Sequence, residues 1–221
     1  MDVFLDQFFN IAIMQKAFPL LLKGAWMTLQ LCVAVILLGL VGGLFVALGN
    51  LSPRRWLRWP TIVYTDVFRA LPPLVLLIFI YSGLPFAGIN VSPFTAVVIA
   101  FLLNNSSYYA EVYRAGLISV AKGQWEAAAS TGLNRTQSLI YVVLPQAVRN
   151  VLPDLLSNTV EVVKLTSLAS VISLSELLYS ADMARSVTYN ASPLVLAALF
   201  YLVLLWPLVR LVSHFQRRLA A

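Results

Sequence analysis

A chain of 221 residues that is 60% apolar and only 11% charged, with a mean hydropathy of +0.85, carries more apolar surface than a water-exposed fold of this size can hide. These figures exclude an ordinary soluble domain and predict an all-α integral membrane protein, whose helices satisfy their own backbone hydrogen bonds in lipid. The formal charge of +6 is no nucleic-acid signal here, because the basic residues lie between hydrophobic runs and mark orientation.

The opening "MDVFLDQFF" lacks a basic stretch and carries Asp2 and Asp6, so it predicts a retained N-terminus rather than a cleaved leader. Gly24 to Pro53 holds no charged residue and supplies a first span, in which Gly39, Gly42 and Gly43 suit close helix contact. Cys32 lies in this apolar run and, as a lone cysteine, permits no internal disulfide.

Two further spans are expected near Pro60 to Leu84 and Pro93 to Tyr113, divided by the turn-rich "YSGLPFAGINVSP". A fourth is expected between Leu152 and Leu174 and a fifth from Pro193 to Leu211. Arg54, Arg55, Arg58, Arg114, Lys122, Arg135, Arg149, Arg210, Arg217 and Arg218 fall on one side, against Lys16, Lys23 and Arg185 on the other. Ten against three predicts an N-terminus outside and a C-terminus in the cytoplasm.

The one substantial cytoplasmic segment is then residues 121–147, inside a single transmembrane domain that covers residues 1–221 with a core of about 20–215. Its "QWEAAASTG" reads as a short helix of strong helix formers stopped by Gly132. Asn134 offers an N-cap for a second helix, and Pro145 marks another boundary. Glu126, read as near the helix start, would favour the positive end of the helix dipole. From local pattern alone the segment is either a slim helix for a partner's cleft or an interfacial connector.

Glu126, Ala127, Ala128, Gly132, Ile140, Leu144 and Pro145 stand as E-A-A, three residues, G, seven residues, I, three residues, L-P. This resembles the EAA loop of permease subunits of bacterial ATP-binding-cassette (ABC) importers. "AEVYRAGLISVAKGQWEAA", "LPQAVRNVLPDLLSN", "KLTSLASVISLSEL" and "VFRALPPLVLLIFIYSGLP" are similar to the polar amino acid permease family, over a stretch from about Lys23 to Arg218.

The resemblance implies a bundle of five transmembrane helices with a coupling helix between spans three and four. It implies that Gln124, Glu126, Ala127, Ala128 and Gly132 dock into a groove of a separate ATPase. Two such ATPases, a second permease chain, same or related, and an extracytoplasmic solute-binding protein complete the transporter in the bacterial inner membrane. ATP and Mg would bind to the partner ATPase, and in accord with that division no G-x-x-x-x-G-K-[ST] run occurs in the chain.

Ionisable groups within spans are functional candidates, because lipid penalises them. Asp66 and Arg69 stand three residues apart and can pair on one helix face, a structural role. Glu161 and Lys164 repeat that spacing in the segment that lines the central cavity in relatives. Asn158, Glu161, Lys164 and Thr166 are therefore the candidate substrate-binding residues, with Glu161 accepting from an ammonium; the alternative is a Glu161–Lys164 pair that only stabilises the helix. Relatives often read K-D-T-S-L where this chain has Lys164-Leu165-Thr166-Ser167-Leu168, which leaves cationic, neutral and acidic amino acids open.

The polar band Asn104 to Tyr108 reads first as helix packing. His214, with no Cys, Asp or Glu cluster beside it, gives no metal site. A channel or receptor-like subunit without an ATPase would share the spans and leave the EAA pattern unexplained. No catalytic constellation in or beside a span favours an enzyme.

Overall fold

The computed structural model describes the backbone of residues 2–220 and the side chains of residues 2–217. Arg218, one of the orienting residues above, has its side chain outside that range. Among the described residues every regular element is helical. The chain divides into two compact units, Met1–Leu37, Pro72–Leu102 and Val160–Leu208 in the first, and Leu38–Leu71, Leu103–Thr159 and Val209–Ala221 in the second.

Helix α1 spans Asp2–Phe9 and α2 spans Ile11–Asn50. Asn10 separates them by capping α2: its Oδ1 accepts from Ile13 N at 3.1 Å while its Nδ2 donates to Asp6 Oδ1 at 2.7 Å. At 1.5 Å per residue, forty residues make a rod of about 60 Å, twice the hydrocarbon thickness. The first span therefore begins well before the expected Gly24, and Lys16 and Lys23 belong to the helix itself.

Two helices, α3 (Arg55–Ala70) and α4 (Pro73–Gly83), replace the continuous second span. Pro72 cannot donate a backbone hydrogen bond and pushes Leu71 to an extended conformation, ψ 128°, which ends α3 there. Taken together the pair is apolar enough to pass for a span, and a tight 3₁₀ turn over Leu84–Ala87 follows α4. Helix α5 covers Pro93–Ser119.

Next come α6 (Lys122–Ser130), α7 (Arg135–Ser138) and α8 (Leu144–Leu165). Between α7 and α8 the chain widens into a π turn over Leu139–Val143, where Leu144 N donates back to Leu139 O. Pro145, with no N–H to give, falls directly after it; the widened turn absorbs a ring that a regular helix would not accept. Pro145 thus displaces the helical register instead of ending the helix.

Beyond α8 the helix tightens to 3₁₀ over Thr166–Ile172. The hydroxyls of Thr166, Ser167 and Ser170 each donate to the carbonyl three residues back, at 2.7–2.8 Å, which favours the tighter winding. Helix α9 (Leu177–Thr188) and α10 (Ser192–Ala220) complete the order.

Three helical segments among the described residues, Asp2–Asn50, Arg135–Ile172 and Ser192–Arg217, are long and apolar enough to cross a bilayer, and the α3–α4 pair counts as a fourth if it is a single span. In the first unit Ala17 and Leu21 of α2, Leu177, Ala181 and Ala184 of α9, and Ala197 of α10 form a core. In the second unit Tyr109 is completely buried, and a Cβ on Gly43 would stand 2.5 Å from the Tyr109 Cβ and 3.0 Å from Ser106 O. No side chain fits there, so α2 and α5 meet backbone to backbone in that unit.

Candidate functional site

The segment of the second unit expected to be cytoplasmic is built from local rules. Helix α6 stops because Gly132 adopts φ +85°, a left-handed conformation glycine takes without penalty. Asn134 then starts α7 with a full capping box: its Oδ1 accepts from Gln137 N at 3.0 Å, and Gln137 Oε1 accepts from Asn134 N at 2.9 Å. Replacing Asn134 by Ala is expected to cost about 1 kcal/mol locally. Hydrogen exchange at residues 134–138 should accelerate about fivefold, with the other helices unchanged.

The segment is tied to the rest of its unit. Val120, Val143 and Ala147 form a small core with Leu117 and Trp125 against it. Gln146 Nε2 donates to Gln124 Oε1 at 3.1 Å, and Asn150 Nδ2 donates to Ser119 Oγ at 2.8 Å. A Cβ at Gly116 would fall 2.3 Å from Val151 Cγ1, so α5 and α8 also approach closely.

Of the five expected coupling residues, Gln124, Glu126, Ala127 and Gly132 are exposed, while Ala128 is buried. Ala128 faces the protein and lets α6 lie close to it. Glu126 is the fifth residue of α6, so it sits beyond the first turn, where the helix dipole acts; the dipole argument made for it does not hold.

On α8 and its 3₁₀ extension, the four substrate candidates separate. Glu161 and Lys164 form an ion pair with side chains 61% and 50% exposed. The Nδ2 of Asn158 is buried and lacks a hydrogen-bond partner among the described residues, so it keeps a donor to offer. Thr166 is fully buried and its hydroxyl is committed to Val163 O, so it does not present itself beside the others.

Two charged centres were not legible as sites. Arg69 approaches Glu111 Oε2 at 4.0 Å, and Arg114 grips the same carboxylate with both Nε and Nη2. Arg69 thus pairs with Glu111 and not, as its spacing suggested, with Asp66. In the first unit Glu176 is completely buried; its carboxylate caps α9 by accepting from Leu178 N at 2.9 Å, Tyr179 N at 2.7 Å and Tyr201 Oη at 3.1 Å. Its signal was a single carboxylate placed just before the apolar start of a helix, a capping position.

The polar band on α5 serves the break in the second span. Asn104 Nδ2 donates to Phe68 O at 2.8 Å, Tyr108 Oη to Arg69 O at 3.4 Å, and Leu71 N to Val67 O at 3.1 Å. These are the carbonyls that a helix end leaves orphaned, so the band lets α3 stop without exposing them to lipid.

The family model for the binding-protein-dependent transport system inner membrane component matches residues 39–221. The chain belongs to that family. It is 36% identical to the probable amino-acid ABC transporter permease protein YckA of Bacillus subtilis, an alignment that covers 96% of this chain and 92% of the relative. It is 34% identical to the glutamine transport system permease protein GlnP of Escherichia coli, over 96% of this chain and 98% of that one. Among solved structures, the crystal structure of an amino acid ABC transporter with histidines superposes with a TM-score of 0.87 at 38% identity, covering 93% of this chain and 96% of that one. This permease is thus an amino-acid ABC importer's membrane subunit, and a protein of its family is the transport subunit and not itself the ATPase.

Proposed function

We propose that this permease forms half of an amino-acid translocation pathway and receives the work of ATP hydrolysis through α6. The observation that carries this is the exposed, slim face of α6, with Gln124, Glu126, Ala127 and Gly132 open to a partner on a segment that is itself braced by Gln146 and the Val143 core. Small side chains there permit close approach by an ATPase groove, and the carboxylate of Glu126 offers it a charged contact.

Five crossings fit this reading. The three long segments and the broken pair give four, and α5 supplies the fifth: its 27 residues make a rod of about 40 Å, long enough to cross although its polar band lowers its hydropathy. The N-terminus lies outside and the C-terminus inside, as the basic residues suggest. Two ATPases, which hold ATP and Mg, work with two permease chains, and an extracytoplasmic binding protein delivers cargo. ATP binding draws the ATPases together and, through the α6 helices, opens the pathway outward; hydrolysis resets it. On α8, the exposed Glu161 takes the cargo's ammonium and Lys164 holds Glu161 in place, while Asn158 keeps to its own unit. Thr166 acts from behind, by setting the 3₁₀ winding.

Mild-detergent purification of the tagged chain from its native membrane, followed by mass spectrometry, tests the assembly. An ATPase and either one or two kinds of permease chain should co-purify. A preparation with no ATPase would reduce α6 to a connector.

A further inference from the structure

Arg69 ends the last turn of α3, next to the break at Leu71 and Pro72. Its guanidinium carbon stands 5.5 Å from the centre of the Tyr108 ring, a cation–π arrangement that fixes its plane. Its ion pair with Glu111 is long, 4.0 Å, and no hydrogen bond leaves the guanidinium among the described residues. Glu111 is held instead by Arg114 through two nitrogens. Asp66, one turn back on α3, forms no ion pair among the described residues. Two guanidiniums therefore share one carboxylate, and Arg69 keeps its fork of donors with 40% of its side chain open.

The helix end around it has already been closed. Val67, Phe68 and Arg69 each have their carbonyl satisfied, by Leu71 N, Asn104 Nδ2 and Tyr108 Oη. The Arg69 side chain is accordingly free of any capping duty. Tyr108 lies on α5 six residues before Arg114, the first basic residue of the flank expected to be cytoplasmic, so this cation sits within the proposed crossing toward its cytoplasmic end. Lipid penalises an under-paired charge within a crossing, which makes it a functional group by default. Secondary transporters build cargo sites beside discontinuous helices, and the interruption between α3 and α4 is a discontinuity of that kind beside Arg69.

The geometry points to Arg69 as the receptor for the α-carboxylate of the transported amino acid. A guanidinium fork matches a carboxylate in two parallel hydrogen bonds, and the α-carboxylate is the one anion every cargo of this class carries. This rests on the import reading above, and it adds the residue that would recognise the part common to all amino acids. Glu111, tied back by Arg114, tempers the positive charge without occupying the fork, so the cargo binds reversibly. Tyr108 keeps the fork in plane.

The test uses the permease–ATPase complex in nanodiscs with no binding protein present. Equilibrium dialysis measures binding of each of the twenty proteinogenic amino acids and of the matching α-carboxamides, which keep ammonium and side chain but lack the carboxylate. The wild-type complex should bind at least one amino acid about thirtyfold more tightly than its carboxamide, the factor that a charge-assisted hydrogen-bond pair supplies. Arg69→Gln should lower affinity for the amino acid by a similar factor and erase the preference over the carboxamide. Arg69→Lys should fall between the two, and the ATPase should co-purify with both variants in the parent's amount.

Unaltered affinity in Arg69→Gln, or a wild-type complex that does not distinguish acid from carboxamide, overturns the assignment while the import reading stands. Loss of the co-purifying ATPase in both variants also overturns it and makes Arg69 a structural brace. A wild-type chain that brings down no ATPase removes the import reading, and the role of Arg69 with it.

Discussion

Glu126→Lys is expected to stop uptake, with at least a hundredfold loss, while the protein still reaches the membrane in normal amount. The expectation follows from what Glu126 does not do within its own chain. It is exposed, lies in the middle of α6, and forms no ion pair among the described residues; only its backbone carbonyl is engaged, by the Ser130 hydroxyl at 2.9 Å. Lysine is as good a helix former as glutamate, so α6 should persist. Any defect must then arise where α6 meets something else. Reversing a charge at a buried interfacial contact costs about 3 kcal/mol, which is a hundredfold in the occupancy of the coupled state.

Three readings separate the causes: uptake of labelled amino acid by cells, the amount of permease in washed membranes, and the ATPase recovered with it. Membrane level should stay constant while the other two fall. Glu126→Gln, which removes charge without reversing it, should retain part of both. Normal uptake by the lysine variant would remove α6 from the coupling path.

The second large effect is on stability. Glu176→Ala should lower the unfolding free energy of the detergent-solubilised protein by about 3 kcal/mol, because it orphans two backbone N–H groups and the Tyr201 hydroxyl in a fully buried place. Two further contacts around that spot show how little can rearrange. Leu177 N donates to Thr28 Oγ1 at 3.1 Å, and a Cβ on Gly24 would meet Glu176 O at 2.8 Å. Glu176→Gln keeps an acceptor oxygen for α9 and should lose less than half as much. Thermal unfolding followed by tryptophan fluorescence checks both variants, and an alanine variant as stable as the parent would mean that water or another group replaces the carboxylate.

The residues that were legible in the sequence are those whose role is local. Gly132 and Asn134 announce a helix stop and a helix start by their own chemistry, and the structure places both there. Long uncharged runs announce helices for the same reason, since periodicity and hydropathy belong to the run itself. The break at Leu71 was missed because Pro72 and Pro73 stand inside an apolar stretch that hydropathy averages over. The pairing of Arg69 was misread because its partner, Glu111, is 42 residues away, and spacing reveals only neighbours one turn along. Ala128 turned inward although its sequence neighbours face out, since which side of a short helix is buried depends on where Val143 and Ala147 lie. Thr166 shared a stretch with Glu161 yet not its exposure, because the winding changes from α to 3₁₀ between them.

One consequence of the π turn concerns stiffness. From Leu144 to Leu165 the winding is α throughout, yet Pro153 lies inside it and withholds one backbone donor, which is where such a helix bends. The stretch is bounded at one end by the widened turn of Leu139–Val143 and at the other by the tightened one of Thr166–Ile172, which closes on Ser173 in a left-handed conformation. A long helical run of this kind yields first where its hydrogen-bond ladder is altered, at the widened turn, at Pro153 and at the tightened turn, and stays stiff in the stretches between.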